Sequence, residues 1–333
     1  MTRLTDLIRG QSNQEPTGPD SRSSVRVSAP GDPLYHSSRP SPIAGEIDWY
    51  QRACQELQGI KHAVQTKQPW TLDELLRIAS GIVASVGIAD TLVHSSLRLD
   101  DGDYLVKNAV RVAILSVKVA EALRYESADL EQVALAGLLH DIGMFALPDA
   151  LVYKTGTLAA EELLEMREHP RHGARLFKDV GEAYPAVGRV ILQEHERLDG
   201  SGYPDRLTHS RIDEMALLIG LADVFEAAIS TRPYRRGVSP HRAIRALLLT
   251  GKTVFPHHLL KAFVDQLSVY PLGTIVRLNT GETGVVSQLN RQYPLRPILQ
   301  VSQHVASGHA QASKKVDLRA ETSVHIVEVV PTG

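Results

Sequence analysis

Three short stretches place metal-binding side-chain types at the ends or middles of strongly apolar runs. In VALAGLLHDIG, residues 133–139 are apolar on nearly every helical face, and the run ends in His140 and Asp141. In AVGRVILQEHE a second apolar run ends in Glu194, His195 and Glu196, and in MALLIGLADVFEAAI Asp223 interrupts a third. An ionised carboxylate carried into an apolar interior is costly unless it is paired, hydrogen-bonded or bound to a metal. Each stretch alone has an ordinary explanation: a solvated helix end in the first two cases, a core Asp with a backbone or Arg partner in the third. Together they point to metal chemistry. Imidazole and carboxylate suit zinc, iron or manganese, and helix bundles build metal sites by presenting such groups inward from several helices. Adjacent helical residues diverge by about 100°. His140/Asp141 and Glu194/His195 therefore serve two adjacent ions more easily than they crowd around one. Two-ion sites typically cleave phosphate esters.

The elements that must position these groups are helices. From residue 71 to about 267 the apolar spacing is helical almost throughout, with segments expected over 103–123, 130–140, 159–177, 184–195, 211–229, 240–250 and 256–267. The intervening segments carry the Gly, Pro and Asp of helix-linking loops. A short amphipathic stretch over 47–64 predicts one leading helix. After residue 271 the texture changes: TIVRLNTGETGVVSQL alternates about an Asn279-Thr280-Gly281 turn and reads as a hairpin, and PILQVSQHV and SVHIVEVV supply further strand-like runs. The short basic run ASKKVDLR reads as a solvated loop. The expected organisation is a disordered tail over 1–45, a leading helix and linker over 46–70, a helical domain over 71–270 and a small β-rich extension over 271–333. The tail is rich in Ser, Pro, Gly and Asn and holds too little apolar surface to offset chain entropy.

Composition narrows the partners. The formal net charge is -2 and the pI about 6.7, so no global basic field points to a nucleic acid polymer or an anionic membrane. No run has the length of a spanning helix or the pattern of a secretory leader, and the single cysteine, Cys54, cannot form an internal disulfide. A cytoplasmic protein without a membrane partner is expected.

The runs HDIGMFALPDALVYKTGTL, EHPRHG, EHERLDGSGYP and LADVFEAAISTRPYRRG follow one another in that order. Their combination of HDIG, DGSGYP and RPYR resembles the HD-GYP family of phosphodiesterases, whose members hydrolyse the bacterial second messenger cyclic di-GMP. The resemblance covers residues 104–267 and continues into YPLGTIVRLNTGETGVV. It implies an all-α HD-domain helical bundle, here with the β extension and the tail. It also implies a centre of two divalent transition metal ions: iron, manganese or zinc. His140 and Asp141 become catalytic metal ligands with Asp141 bridging, joined by His169, His195 and Asp223. Gly202, Tyr203 and Pro204 become the loop beside the substrate, and Arg232 and Arg235 the contacts to its phosphates. Elementary chemistry agrees with these roles: Gly202 lets backbone approach a ligand closely, Tyr203 before Pro204 is biased towards extended backbone, and guanidinium forks suit phosphate oxygens.

Three positions depart from the family. Asn108 stands where a ligand His would follow Tyr104 by four residues, Glu194 stands in the place of the first His of a His-His pair, and Met144 replaces a lysine that polarises the scissile phosphate. Glu194 can still coordinate and makes the site harder and more anionic. On this pattern Asp141, His169, Glu194 and His195 hold one ion well, and His140 and Asp223 hold the other less securely. Cyclic di-GMP phosphodiesterase activity in bacterial signalling, reduced by these changes, is the expected function. The alternatives are a non-catalytic cyclic di-GMP-binding or protein-interaction module and a phosphohydrolase acting on another nucleotide.

Overall fold

The computed structural model describes residues 48–88, 102–230, 237–238, 240–266, 270, 273–290, 293, 296–302 and 313–330. The expected tail over 1–45 and the resemblance-derived Arg232 and Arg235 lie outside these residues.

Eleven α-helices are found among the described residues: α1 (Trp49–Gln65), α2 (Asp73–Ile88), α3 (Tyr104–Ala122), α4 (Ser127–Leu139), α5 (Asp149–Val152), α6 (Ala160–Arg167), α7 (His169–Lys178), α8 (Pro185–Gln193), α9 (Glu214–Ile229), α10 (Pro240–Thr250) and α11 (His257–Gln266). A 3-10 turn over Ile142–Ala146 follows α4 directly. The protein is thus mainly helical, as its periodicity implies.

Helix α3 is the axis of the bundle. It is buried along most of its length and packs against α1, α2, α4, α9 and α11. Its Asp103 cap accepts the Leu105 N–H at 2.9 Å, the bond that satisfies one of the orphan donors of a helix start. The same carboxylate takes the ammonium of Lys61 on α1 at 2.5 Å and the hydroxyl of Tyr153 at 2.9 Å. Lys61 is buried, and its charge also lies over the Tyr153 ring. The leading helix is therefore tied to the N-terminal end of α3 by a paired, hydrogen-bonded cation. A buried cation of this kind needs such partners.

The segment expected as one helix over 159–177 is two. Pro170 follows the break at Glu168, near the start of α7. Proline has no N–H to give to the carbonyl four residues back, and its ring clashes with that carbonyl, here Met166. The interruption leaves the Met166 carbonyl available to a side chain.

The C-terminal strands β1 (Ile275–Leu278), β2 (Thr283–Gln288), β3 (Ile298–Ser302), β4 (Ser313–Asp317) and β5 (Ile326–Val329) form one antiparallel sheet in the order β4-β3-β2-β1-β5. The expected hairpin is β1–β2, closed by Gly281 N–H to the Leu278 carbonyl at 2.9 Å. Val276, Leu278, Val286, Leu299, Val301 and Val316 are buried from alternate positions. The run read as a solvated loop is corrected: SKKVD is β4, paired residue for residue with β3 from Ile298↔Asp317 to Ser302↔Ser313. Lysines on an edge strand disguise it locally while discouraging further edge pairing.

Candidate metal centre

His140 caps the C-terminal end of α4 and is fully buried rather than solvated. Its Nδ1 lies 2.8 Å from the Gly137 carbonyl. A carbonyl can only accept, so Nδ1 carries the proton and Nε2 is the atom presented to the site. His169 repeats the device: its Nδ1 donates at 2.8 Å to the Met166 carbonyl released by the Pro170 break. Both imidazoles are oriented by backbone, the arrangement that fixes metal-ligating histidines.

The 3-10 turn brings Asp141 between them. Its Oδ1 is 3.0 Å from His169 Nε2, and its Oδ2 is 3.5 Å from His140 Nε2. This approach depends on Gly143, where an added Cβ would lie 1.9 Å from the His169 carbonyl oxygen and 2.6 Å from the Gly173 nitrogen. From the end of α8, Glu194 Oε1 reaches His195 Nε2 at 3.0 Å and His169 Nε2 at 3.4 Å. From the middle of α9, Asp223 Oδ1 lies 3.9 Å from His140 Nε2. The ligand atoms fall into two compact groups, Asp141–His169–Glu194–His195 and His140–Asp141–Asp223, which share Asp141.

The donor atoms fit divalent metal ions. His140 Nε2 and Glu194 Oε2 are buried with no hydrogen-bond partner, and buried polar atoms left unpaired in this way call for an explanation such as an ion. The electrostatics are those of imidazolium sandwiched by carboxylate. Burial by itself would depress His140, but the charge of Asp141, with Asp223 and Glu194 further off, holds it up at about 10. His169 is likewise held at about 10 against burial by Asp141 and Glu194. Burial opposes ionisation of Asp141, yet His140 and His169 hold its carboxyl well below the usual range. Glu194 is also lowered, against burial, by His195 and His169.

The DGSGYP segment closes over one side. Tyr203 stacks on His195 with ring centroids 4.5 Å apart and stands edge-on to His169 at 6.2 Å. Its N–H donates to the His195 carbonyl at 3.3 Å. Gly202 is required by this close approach, since an added Cβ would meet the His195 carbonyl oxygen and Glu196 Cα at 2.5 Å. Pro204 follows through a cis peptide bond, and Arg171 on α7 donates to the neighbouring Asp205 carboxylate at 2.7 Å.

Asn108 occupies the side of the site nearest α9. Its amide nitrogen donates to Asp223 at 3.1 Å and to Glu226 at 2.7 Å. Arg111, three residues along α3, donates to Glu226 at 3.2 Å and to Ser230 at 3.0 Å. The pair Asn108 and Arg111 on one helix thus faces Asp223 and Glu226 on the other. Asn108 supplies donors to a carboxylate rather than a ligand atom. Met144 is buried in the 3-10 turn.

Sequence reasoning missed Glu226 and gave Glu196 no role. Glu226 was legible: it lies three residues after Asp223 on a helix that is otherwise almost wholly apolar, and so on the same face. Glu196, expected at a wet helix end, is fully buried and accepts the Asp205 and Leu207 N–H groups at 2.7 and 2.9 Å. It grips the loop that carries Tyr203. Away from the site, His258 is exposed beside Glu214, and Arg189 pairs with Asp213 on the surface.

Residues 96–255 match the family described as HD domain, and residues 275–332 match the KOW domain associated with HD domain. The chain is 35% identical over 252 residues to the cyclic di-GMP phosphodiesterase PA4108 of Pseudomonas aeruginosa, a span covering 75% of this chain and 61% of that protein. It is 37% identical over 155 residues to the cyclic di-GMP phosphodiesterase response regulator RpfG of Xanthomonas campestris, covering 46% of this chain and 41% of the relative. The chain therefore spans less than two thirds of the length of either. Among solved structures, Bd1817, a HDG"Y"P protein from Bdellovibrio bacteriovorus, superposes with a TM-score of 0.54 at 20% identity over 67% of this chain and 73% of its own, which shows a shared fold.

Proposed function

We propose that this chain, a member of the HD superfamily of phosphohydrolases with its HD domain at residues 96–255, is a metal-dependent phosphodiesterase of cyclic di-GMP. The observation that carries the proposal is the pair of ligand groups meeting at Asp141. The substrate is supported by the relatives named as cyclic di-GMP phosphodiesterases at 35% and 37% identity.

In this reading Asp141, His169, Glu194 and His195 hold one divalent ion, while His140, Asp141 and Asp223 hold a second. The mixed nitrogen and oxygen donors favour iron, manganese or zinc. Such a pair supplies a water-derived nucleophile at neutral pH and stabilises charge on the phosphate being cleaved. The Gly137 and Met166 carbonyls keep the imidazole protons on Nδ1, so that His140 and His169 offer Nε2 to the centre. Gly202 and Tyr203 wall the site beside His195. Arg232 and Arg235, by the resemblance of STRPYRR, take the substrate phosphates. No helix among the described residues is long and apolar enough to cross a membrane, which suits a cytoplasmic signalling role.

Elemental analysis of the purified protein alongside a cyclic di-GMP hydrolysis assay tests the proposal. The expected result is bound transition metal with release of the linear dinucleotide or GMP. Protein that carries its metal and leaves the cyclic dinucleotide intact would sink it.

A second reading, a module that binds cyclic di-GMP without turning it over, is favoured by Asn108 and Met144. Asn108 spends its amide on Asp223 and Glu226 instead of coordinating, and the Met144 thioether offers no charge to the phosphate. Tight binding without hydrolysis, together with an unchanged cellular phenotype for His140→Ala, would select this reading.

A further inference from the structure

Arg167 is the last residue of α6, two positions before His169, and its side chain is half-buried. Its guanidinium carbon lies 5.4 Å from the centroid of the Tyr203 ring, the ring that stacks on His195 and stands edge-on to His169. Its Nε is buried and has no hydrogen-bond partner, and no carboxylate pairs with Arg167 among the described residues. The contact with the aromatic ring orients the guanidinium but satisfies none of its N–H groups. A buried donor left in that state is rare, and it points to a missing acceptor.

Among the described residues, three other arginines around the centre are already engaged. Arg197 donates to the Glu194 and Glu196 carbonyls at 2.8 and 2.6 Å. Arg171 pairs with Asp205, and Arg111 with Glu226. The ligand groups themselves are rich in carboxylate, with Asp141, Glu194 and Asp223, yet none of these pairs with Arg167. A planar guanidinium that stays unpaired beside such a cluster is suited to an anion that arrives from outside, and its fork matches two phosphate oxygens.

We propose that Arg167 is a substrate-binding residue that takes a phosphodiester oxygen of the bound cyclic dinucleotide from the Tyr203 side of the metal centre. The assignment rests on the phosphodiesterase reading above. It adds a phosphate contact on the α6–α7 side, where no motif signalled one.

The test uses the metal-loaded full chain, measuring cyclic di-GMP binding at several salt concentrations and steady-state hydrolysis. Arg167→Met keeps the packing on Tyr203 without the charge, and Arg167→Gln serves as a second uncharged variant if the first does not fold. Either is expected to raise Kd and KM by roughly 10- to 100-fold, the range for a hydrogen bond to a charged group. The salt dependence of binding should flatten, kcat should change less than KM, and metal content should stay the same. Arg167→Lys should recover part of the loss. A folded, metal-loaded uncharged variant with wild-type KM and salt dependence overturns the assignment while leaving the phosphodiesterase reading intact. Wild-type protein that neither binds nor hydrolyses cyclic di-GMP overturns both.

Discussion

The Asn108 amide donates to the Asp223 carboxylate across 3.1 Å, and the same nitrogen reaches Glu226 at 2.7 Å. One neutral side chain on α3 thereby ties two carboxylates of α9 beside the candidate ligand groups. Since carboxylates only accept, the amide must present its NH2 to both. Asp223 is held in place by a donor from a neighbouring helix.

Replacing Asn108 by Ala removes both bonds, while Arg111 and Ser230 still donate to the buried Glu226. Loss of partners to buried acceptors costs about 1–3 kcal/mol. Urea denaturation of the metal-stripped variant should show a loss of that size, and an unchanged midpoint would mean that the amide does not hold these carboxylates.

Asp141 belongs to both ligand groups, whereas His140 belongs to one and His195 to the other. Asp141→Asn is expected to empty both positions. His140→Ala should remove only the ion of the Asp223 group and leave about one ion per chain of the two expected for such a centre. Elemental analysis of the two variants reads this out; equal metal content in Asp141→Asn and His140→Ala would contradict the shared carboxylate.

Gly143→Ala would place a methyl group 1.9 Å from one backbone oxygen and 2.6 Å from a backbone nitrogen. Neither can swing away as a side chain would, so the 3-10 turn and α7 must separate. Overpacking of this kind costs about 1–3 kcal/mol, occasionally more. A lowered melting temperature together with weakened metal retention is expected, because the displaced turn carries Asp141 away from His169. A variant that melts lower but keeps full metal retention would show that the tight approach serves the fold alone.

The metal-free centre should bind protons that the ion displaces. His140 and His169 are both raised to about 10, above their ordinary value of 6.5. Their protonation stabilises the stripped fold fully below about pH 6.5, and that contribution fades as pH rises through about 10. Metal uptake at pH 8 should therefore release about two protons, and apparent affinity should increase with pH. Calorimetry in buffers of different ionisation enthalpy measures the release directly; uptake without proton release would argue that the imidazoles are already neutral.

Much of the site was legible because its chemistry is local. A histidine and an aspartate at the end of the apolar run 133–139, a carboxylate within 215–229 and a Pro after His169 each announce themselves through the residues beside them. The orienting carbonyls of Gly137 and Met166 are equally local, being freed where a helix stops. The proline break explains the correction of 159–177 from one helix to two. By contrast, the burial of Glu196 depends on a loop up to eleven residues away folding back onto it.

Sequence by itself determined the helical class, the candidate ligand types and the positions at which the chain departs from the HD-GYP pattern it resembles. Tertiary structure alone decided how the candidate ligands are grouped, because Asp141, Glu194 and Asp223 meet only when α4, α8 and α9 pack. It also decided that Asn108 serves as a donor to α9, across 115 and 118 residues of chain. SKKVD became a strand for the same reason: its hydrogen bonds go to β3, a partner that no local pattern encodes. Propensity and periodicity act between neighbours along the chain. Pairing across the fold is set by which buried polar groups find each other once the apolar faces have closed.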